Sequence, residues 1–310
     1  MYIGIDVGGT TIKYGLLTTT GEVIEKQAIP TPKERNAFID TLVDLVNQLA
    51  AKEDIQGIGI SMPGIVRKDG YLLTAGSIKE LDDCPLRDIL LEKTDNKYPI
   101  VIENDANSVA YAEKWIGNAQ GRDNYVCLVL GTGVGGGIVI NGDIYRGAHG
   151  MAGEFGWMLI DKLPPQGNIE SASANYRAAV VLGLCQQYNQ LKLAENPNFE
   201  PINDARIIFD TEDSDPFAAF ALKNFYRDVA ITLLNLYVSF DPELILIGGA
   251  ISTNPYFMER LRETVEHYSK RHNSIAYLIG KTIAPIKATY LQNDAGMIGA
   301  VYRLHQQINS

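Results

Sequence analysis

Apolar residues recur along the chain in two spacings that alternate through most of its length. Short apolar runs are typical of buried strands, and apolar residues about three or four positions apart are typical of amphipathic helices. The runs predict strands at 2–7, 12–17, 23–29, 55–62, 100–102, 125–130, 138–141 and 244–247. The helical spacing predicts helices at 37–51, 106–115, 170–193, 215–240, 254–270 and 294–307. This alternation indicates an α/β protein.

Three of the predicted strands end in glycine-rich turns, at Gly8-Gly9-Thr10, Gly131-Thr132-Gly133 and Gly248-Gly249. Glycine lacks Cβ, so the backbone N–H groups of such a turn can approach a phosphate closely. Taken alone, the first turn is equally consistent with an ordinary Gly-Gly hairpin. Asp6, just before it, is a candidate for holding Mg²⁺ through water, and Lys13 is a candidate neighbour of an anionic ligand.

Composition narrows the class of protein. The chain has 310 residues, which suggests one large domain or two ordinary ones. No apolar run reaches about 18 residues and a strand begins at residue 2, so we expect neither a membrane span nor a secretory leader. The three cysteines are widely spaced, which favours a reducing cytoplasm. The net charge is −10 and no basic stripe is present, which argues against nucleic-acid binding.

Five segments occur in an order and spacing that resemble the sugar-kinase, actin and heat-shock-chaperone superfamily, and more narrowly the ROK family (repressors, open reading frames, kinases). They are Ile5–Thr10, Glu103–Asn107, Leu130–Gly135, Gly153–Gly156 and Ile247–Gly249. The resemblance implies an α/β fold of two ribonuclease-H-like (actin/hexokinase-like ATPase) domains with an active-site cleft between them.

The predicted domain division follows from that fold. Residues 1–117 plus 291–310 are expected to form a smaller N-terminal domain, and residues 118–290 a larger C-terminal one. A homodimer is expected from the resemblance only.

The resemblance also implies an ATP site that uses all three glycine turns. The first two would face the phosphates, with Asp6 positioning Mg²⁺ and Lys13 nearby, and the third would lie against the adenosine. The residues concerned are Asp6, Gly8, Gly9, Thr10, Lys13, Gly131, Thr132, Gly133, Gly248 and Gly249.

Asp105 is the candidate catalytic base. In the family pattern, the acid of Asn-Asp-Ala takes the proton from the attacking sugar hydroxyl. The structural alternative is a helix N-cap, since a helix is predicted from residue 106, and the two roles are compatible. A helix N-terminus favours a charged carboxylate, which predicts an ionised, weak base. Phosphoryl transfer through a loose transition state needs positioning more than a strong base.

Sugar-binding residues follow from the same resemblance. Asn104, Glu154 and Glu170 match positions that bind sugar hydroxyls, a task suited to groups that accept several hydrogen bonds. A solvated surface acid is the alternative for Glu170. Gly64, after Pro63, is expected to line the sugar cleft through its backbone.

The chain departs from the family at the zinc site that many ROK members carry. That site uses a histidine after Gly-Glu-(Ile/Phe)-Gly and three cysteines shortly downstream. Here Trp157 stands at the histidine position, and residues 161–168 contain no cysteine, so we predict no zinc. The zinc-less members include bacterial β-glucoside kinases and N-acetylmannosamine kinases. Trp157 either stacks on a sugar face, a second sugar ring or an aglycone, or fills the space of the missing loop.

The sequence thus predicts an ATP- and Mg²⁺-dependent sugar kinase that acts on a hydroxyl, O6 by expectation, of a β-glucoside such as cellobiose or of N-acetylmannosamine. Glucose and fructose stay open as other hexose substrates. A non-catalytic sugar or nucleotide sensor with the same fold is one alternative, and a polymerising actin-like ATPase is another. A DNA-binding repressor is disfavoured, since the hairpin at residue 2 leaves no room for a preceding helix-turn-helix domain. No membrane partner is expected.

Overall fold

The computed structural model describes residues 1–309. Within them the strands are β1 (Tyr2–Val7), β2 (Thr11–Leu17), β3 (Val23–Pro30), β4 (Gly57–Met62), β5 (Ile100–Asn104), β6 (Tyr125–Leu130), β7 (Val134–Ile140), β8 (Asp143–Ile144), β9 (Leu244–Gly248) and β10 (Ile286–Ala288). The α-helices are α1 (Arg35–Ala50), α2 (Leu86–Lys93), α3 (Asp105–Ile116), α4 (Ala174–Arg177), α5 (Gln186–Glu195), α6 (Ala205–Asp210), α7 (Pro216–Phe240), α8 (Pro255–Arg271), α9 (Asn273–Leu278) and α10 (Ala295–Asn309).

The described chain divides into two compact units. Unit 1 contains Met1–Asp123, Gly137–Ala152 and the described residues from Tyr290, and unit 2 contains Asn124–Gly136 and Gly153–Thr289. The segment Gly137–Ala152 packs with unit 1, although the sequence-based division places it within 118–290. The reason is a close contact, since a Cβ on Gly137 would lie only 3.0 Å from the side chain of Ala110 on α3.

The two five-stranded sheets share one strand pattern. The first has the order β3-β2-β1-β4-β5, in which β1, β2 and β3 are antiparallel and β4 and β5 run parallel to β1. The second has the order β10-β9-β6-β7-β8, with β6, β9 and β10 parallel. In each sheet the first strand in the chain, β1 or β6, lies at the centre. The next two strands in the chain lie on one side of it, and the last two lie on the other side. The predicted α/β fold of two domains, each built around one sheet, is confirmed.

The first sheet is covered on both faces. Buried residues of α1 and α2, including Leu42 and Leu90, join the core on one side, and residues of α3 and α10, including Ala112 and Val301, join a second core on the other. Gly59 on β4 permits the close approach of α10, because a Cβ there would lie 2.5 Å from the backbone of Ala300. The returning helix α10 is therefore part of unit 1.

The predicted helix over 170–193 is wrong as a single element. It consists of a 3₁₀ turn (Glu170–Ala172), α4, a π-helical segment (Val180–Cys185) and α5. The N–H groups of Val180 and Val181 donate to the carbonyl of Gly131, at 3.0 and 3.2 Å. A contact so distant in sequence draws these groups away from α4 and starts a new helical segment. The sequence-based prediction also missed α2, α6, α9, β8 and β10, which are short.

No helix within residues 1–309 combines the length and apolar character needed to cross a membrane.

The substitution Gly299→Ala tests how closely α10 packs. Alanine inside a helix is ordinarily more favourable than glycine by about 1 kcal/mol. Here the added Cβ would collide with the carbonyl oxygen of Ser108 on α3, and overpacking costs about 1–3 kcal/mol. We expect a lower melting temperature in calorimetry. Glu263→Ala, at an exposed position of α8, serves as control and should change stability by less than about 0.5 kcal/mol. A higher melting temperature for Gly299→Ala would contradict the packing.

Candidate functional site

The carboxyl ends of three parallel strands meet at one edge of the unit 1 sheet. The register pairs Asp6 with Ser61 and Met62 with Asn104. This brings the first glycine turn, the Pro63-Gly64 turn and Asn104-Asp105 to the same edge. In open α/β sheets, ligands bind outside this end of the strands. The predicted site residues that belong to unit 1 therefore lie together at the carboxyl ends of β1, β4 and β5.

Asp6 lies in an enclosed position beside one lysine. Lys13 faces it across the hairpin, with Nζ 3.8 Å from the carboxylate. Burial raises the pKa of Asp6 above its ordinary value, and Lys13 only partly opposes the shift. Gly296, in the first turn of α10, lies against the same carboxylate, where any Cβ would collide with it. A carboxylate with so little compensating positive charge fits a cation-holding role.

The first glycine turn is braced by Thr31 and Lys33. Thr31 Oγ1 donates to Gly8 O at 2.8 Å, its N–H donates to Thr10 O at 3.0 Å, and Lys33 Nζ donates to Gly9 O. Lys33 thus adds a second ammonium near the turn besides Lys13. The sequence analysis missed it, because a lysine after a strand carries no signal of its own.

Gly9 also packs closely. A Cβ on it would lie 2.6 Å from Ser77 Oγ. Because this atom is the end of an exposed side chain that can rotate, the close fit favours glycine without requiring it, and the φ of Gly9 is not positive.

Asn104, and not Asp105, is the N-cap of α3. Its Oδ1 accepts from Asn107 N at 3.0 Å, while its Nδ2 donates to Gly64 O at 2.8 Å and to Asp105 Oδ1 at 3.0 Å. The cap interpretation of Asp105 was therefore wrong by one residue. Asp105 is the first residue of the helix, and its Oδ1 also accepts from Ala106 N at 2.8 Å.

Gly64 has a backbone conformation that residues with a side chain rarely adopt. Its φ is +91°, and a Cβ would collide with the carbonyl of Thr74. Only glycine presents its carbonyl to Asn104 in this way. Through this hydrogen bond from Asn104, Gly64 connects the end of β4 to the end of β5.

Asp105 carries a raised pKa. Enclosure by the surrounding protein raises it from 3.8 to about 6, although the side chain keeps solvent access, and the charge of Asp6 adds to the shift. The hydrogen bonds from Ala106 and Asn104 lower the pKa but do not outweigh these effects. The hydrogen bonds at the helix N-terminus therefore do not set the pKa alone, although a carboxyl with this pKa is still largely ionised at neutral pH. Perturbed carboxylates of this kind are concentrated at functional sites.

Unit 2 brings its two glycine turns together. The parallel pairing of β6 with β9 sets Val129 opposite Gly248. Gly249 has a φ of +91°, and a Cβ on it would collide with Leu130 O, the residue before Gly131. Thr132 is exposed at the tip of its turn.

Asn175 connects two segments of unit 2, the Gly131–Gly133 turn and the segment Glu154–Trp157. Its Oδ1 accepts from Val134 N at 2.7 Å and lies so close to Gly133 and Gly156 that a Cβ on either would crowd it. The segment Glu154–Trp157 is thereby held beside the Gly131–Gly133 turn. No sequence motif marks Asn175, which acts through backbone contacts.

Glu170 and Trp157 lie on paired segments of unit 2. Ala174 N donates to Met158 O at 2.8 Å, and Ile160 N to Ala172 O at 2.9 Å. Glu170 is exposed and lines a cavity of about 350 Å³ together with Tyr176 and Arg177. Trp157 is 51% exposed.

Within residues 1–309, no group of three or more His, Cys, Asp or Glu side chains is placed to hold a metal ion. Cys84, Cys127 and Cys185 are buried thiols.

Asp105→Asn should raise stability at neutral pH. Because the folded pKa of about 6 exceeds the ordinary 3.8, folding favours the protonated form. The stabilisation is complete below pH 3.8 and is lost as the pH rises through 6. Asparagine carries no charge, so the variant should melt higher than wild type at pH 8 and nearly equal to it at pH 4. Asp95→Asn, at an exposed loop position, is the control. Equal melting temperatures at pH 8 would refute the raised pKa.

Sequence comparison identifies clear relatives. The chain is 34% identical to a glucokinase of Halalkalibacterium halodurans, over 100% of this chain and 96% of that protein. It is 33% identical to a β-glucoside kinase of Listeria monocytogenes, over 98% and 97% of the two chains.

Solved structures agree. A Listeria monocytogenes protein proposed to be an N-acetylmannosamine kinase superimposes with a TM-score of 0.84 at 31% identity, covering 100% of this chain and 99% of that one. A ROK family glucokinase of Streptomyces griseus, in complex with glucose and AMPPNP, superimposes with a TM-score of 0.79 at 27% identity, covering 99% of each chain. The ROK family profile matches residues 2–307. The chain belongs to the ROK family.

Proposed function

We propose that this chain is an ATP- and Mg²⁺-dependent sugar kinase in which Asp105 acts as general base. The observation that carries the proposal is the Asp105 carboxylate, which is oriented by Asn104, has a pKa of about 6 and lies at the same strand edge as Asp6. The similarity to named sugar kinases supports the enzyme class.

Asp105 would accept the proton of the attacking sugar hydroxyl. The oxygen then bonds to the γ-phosphorus as the bond to the β-phosphate oxygen breaks and ADP leaves. A base with a pKa of about 6 is largely ionised at pH 7 to 8 and keeps more affinity for a proton than an ordinary aspartate. Because the transition state is loose, the fixed orientation of Asp105 matters more than its basicity.

The glycine turns would bind the nucleotide. The turn at Gly8–Thr10 and the turn at Gly131–Gly133 would face the phosphates, with Lys13 and Lys33 supplying positive charge to the first. Gly248-Gly249 would lie against the adenosine. The AMPPNP bound to the Streptomyces griseus glucokinase supports ATP as the donor. Asp6 would hold Mg²⁺ through water, and the ion would neutralise phosphate charge.

Sugar hydroxyls would be bound by Asn104, Glu154 and Glu170, with the Gly64 backbone beside them. A β-glucoside such as cellobiose is the substrate we favour, with phosphorylation at O6. Trp157 supports this choice, because a tryptophan that merely filled the space of a missing loop would be buried, whereas this one is half exposed. An exposed indole suits stacking on a second sugar ring or aglycone. N-acetylmannosamine is the second candidate. The homodimer and the cytoplasmic location stay predictions.

The test is ADP release with Mg-ATP across cellobiose, a simple β-glucoside, N-acetylmannosamine, glucose and fructose. We expect turnover, with cellobiose or the simple β-glucoside preferred over glucose. Preference for N-acetylmannosamine would keep the kinase and replace the substrate. No turnover of any sugar by folded protein that binds ATP would favour the sensor alternative.

The variant Asp105→Asn tests the role of Asp105 as general base in the same assay. Loss of the base should lower kcat by about 10²-fold or more, while sugar binding measured by calorimetry stays within a few-fold of wild type. Asp95→Asn should leave both unchanged. Turnover by Asp105→Asn close to that of wild type would remove Asp105 from the mechanism.

A further inference from the structure

Glu103 is a fully buried carboxylate at the end of β5, directly before Asn104-Asp105. It is 1% exposed. Its Oε1 accepts from Asn104 N at 3.0 Å and from Asn107 Nδ2 at 3.1 Å. These two hydrogen bonds fix the position of the chain before and after Asp105.

The other carboxylate oxygen is held by two arginines from distant parts of unit 1. Oε2 lies 2.5 Å from Arg146 and 2.7 Å from Arg303 on α10. Both guanidinium groups are nearly buried. Burial raises the pKa of Glu103 and Arg146 opposes the shift, and with two guanidinium donors on one oxygen the group is ionised.

Arg146 is itself fixed in place. Its guanidinium donates to Tyr111 Oη at 3.1 Å and to Ile144 O at 3.2 Å. The Tyr111 hydroxyl in turn donates to Asp143. Charged hydrogen bonds thereby connect the β5–α3 junction to α10 and to the segment Gly137–Ala152.

A contribution to stability does not explain this cluster well. Buried ion pairs contribute little net stability compared with apolar packing of the same volume. The cluster is also imperfectly satisfied, since Arg303 Nε and Asn107 Oδ1 are buried and have no hydrogen-bond partner. A polar network of this kind is better suited to fixing one arrangement of the chain.

We propose that Glu103 is a positioning residue, which anchors the Asn104–Asn107 turn to Arg146 and Arg303 so that Asp105 meets the sugar hydroxyl in one orientation. The proposal rests on the proposed function of Asp105. Glu103 does not touch substrate. Small misplacements of a catalytic group cost up to about 10²-fold in rate, so the anchor should appear in kcat.

The test compares wild type with Glu103→Gln and with the double variant Glu103→Gln/Arg303→Gln. The single variant leaves two guanidinium groups without their carboxylate and is expected to lose stability. The double variant removes one charge of each sign, so the net charge of the cluster is unchanged. Leu49→Ala, on the buried face of α1, is the control for stability loss without a change at the turn. The measurements are kcat, both KM values, the melting temperature, and the Asp105 pKa by carboxyl ¹³C NMR, assigned with Asp105→Asn.

We expect the double variant to recover melting temperature relative to the single one, yet to lose kcat about tenfold or more with both KM values within about threefold. Its Asp105 pKa should rise above about 6, because the loosened turn weakens the hydrogen bonds from Asn104 and Ala106 that lower it. Leu49→Ala should keep wild-type kcat and Asp105 pKa below its melting temperature. An unchanged Asp105 pKa, or a kcat that recovers together with stability, would overturn the proposal. If wild type turned over no sugar, the proposed function would fail, and the NMR titration alone would decide the positioning role.

Discussion

The hydrogen bond from Asn104 to the carbonyl of Gly64 is the contact on which the candidate site depends. It joins the ends of two parallel strands, and it uses the same amide that orients the Asp105 carboxylate. Each partner is restricted. Gly64 must adopt a positive φ in a space without room for a Cβ, and Asn104 must cap α3 with its remaining oxygen. Three requirements of local structure therefore converge on one side chain, whose loss would release both the turn and the carboxylate.

Electrostatics at this edge run against stability. Asp6 and Asp105 both have raised pKa values, and the charge of Asp6 makes ionisation of Asp105 harder. A protein that needed only to fold would not place two acids with raised pKa values at one strand edge. Under the proposed function, the same arrangement would become favourable once a cation is bound, since the cation would compensate the acids. Glu103, two residues before Asp105 in the chain, is paired with Arg146 and Arg303. Its charge is therefore compensated within the core, whereas the charges of Asp6 and Asp105 at the strand ends are not fully compensated.

Much of the fold was predictable, because its signals are local. Hydrophobic runs located the central strands, and the glycine residues after β1, β6 and β9 marked the turns at which these strands end. The pattern of five segments was specific enough to indicate the family. Short elements such as α2 and β10 have too few apolar positions to stand out.

The remaining features depend on partners far apart in sequence. The break in the predicted helix over 170–193 arises where Gly131 accepts hydrogen bonds from Val180 and Val181. The choice between Asn104 and Asp105 as cap could not be made from sequence, since both residue types cap helices well. The pKa of Asp105 depends on enclosure, which no motif encodes. Lys33 and Asn175 were missed for the same reason, because their contacts are with backbone atoms of other segments.

The most direct measurement is the pH dependence of kcat/KM for the sugar at saturating Mg-ATP. The profile reports the pKa of the base in the enzyme before sugar binds. If an enclosed Asp105 is that base, activity should fall on the acid side with a midpoint near pH 6. A midpoint near pH 4, where an ordinary aspartate titrates, would contradict the account.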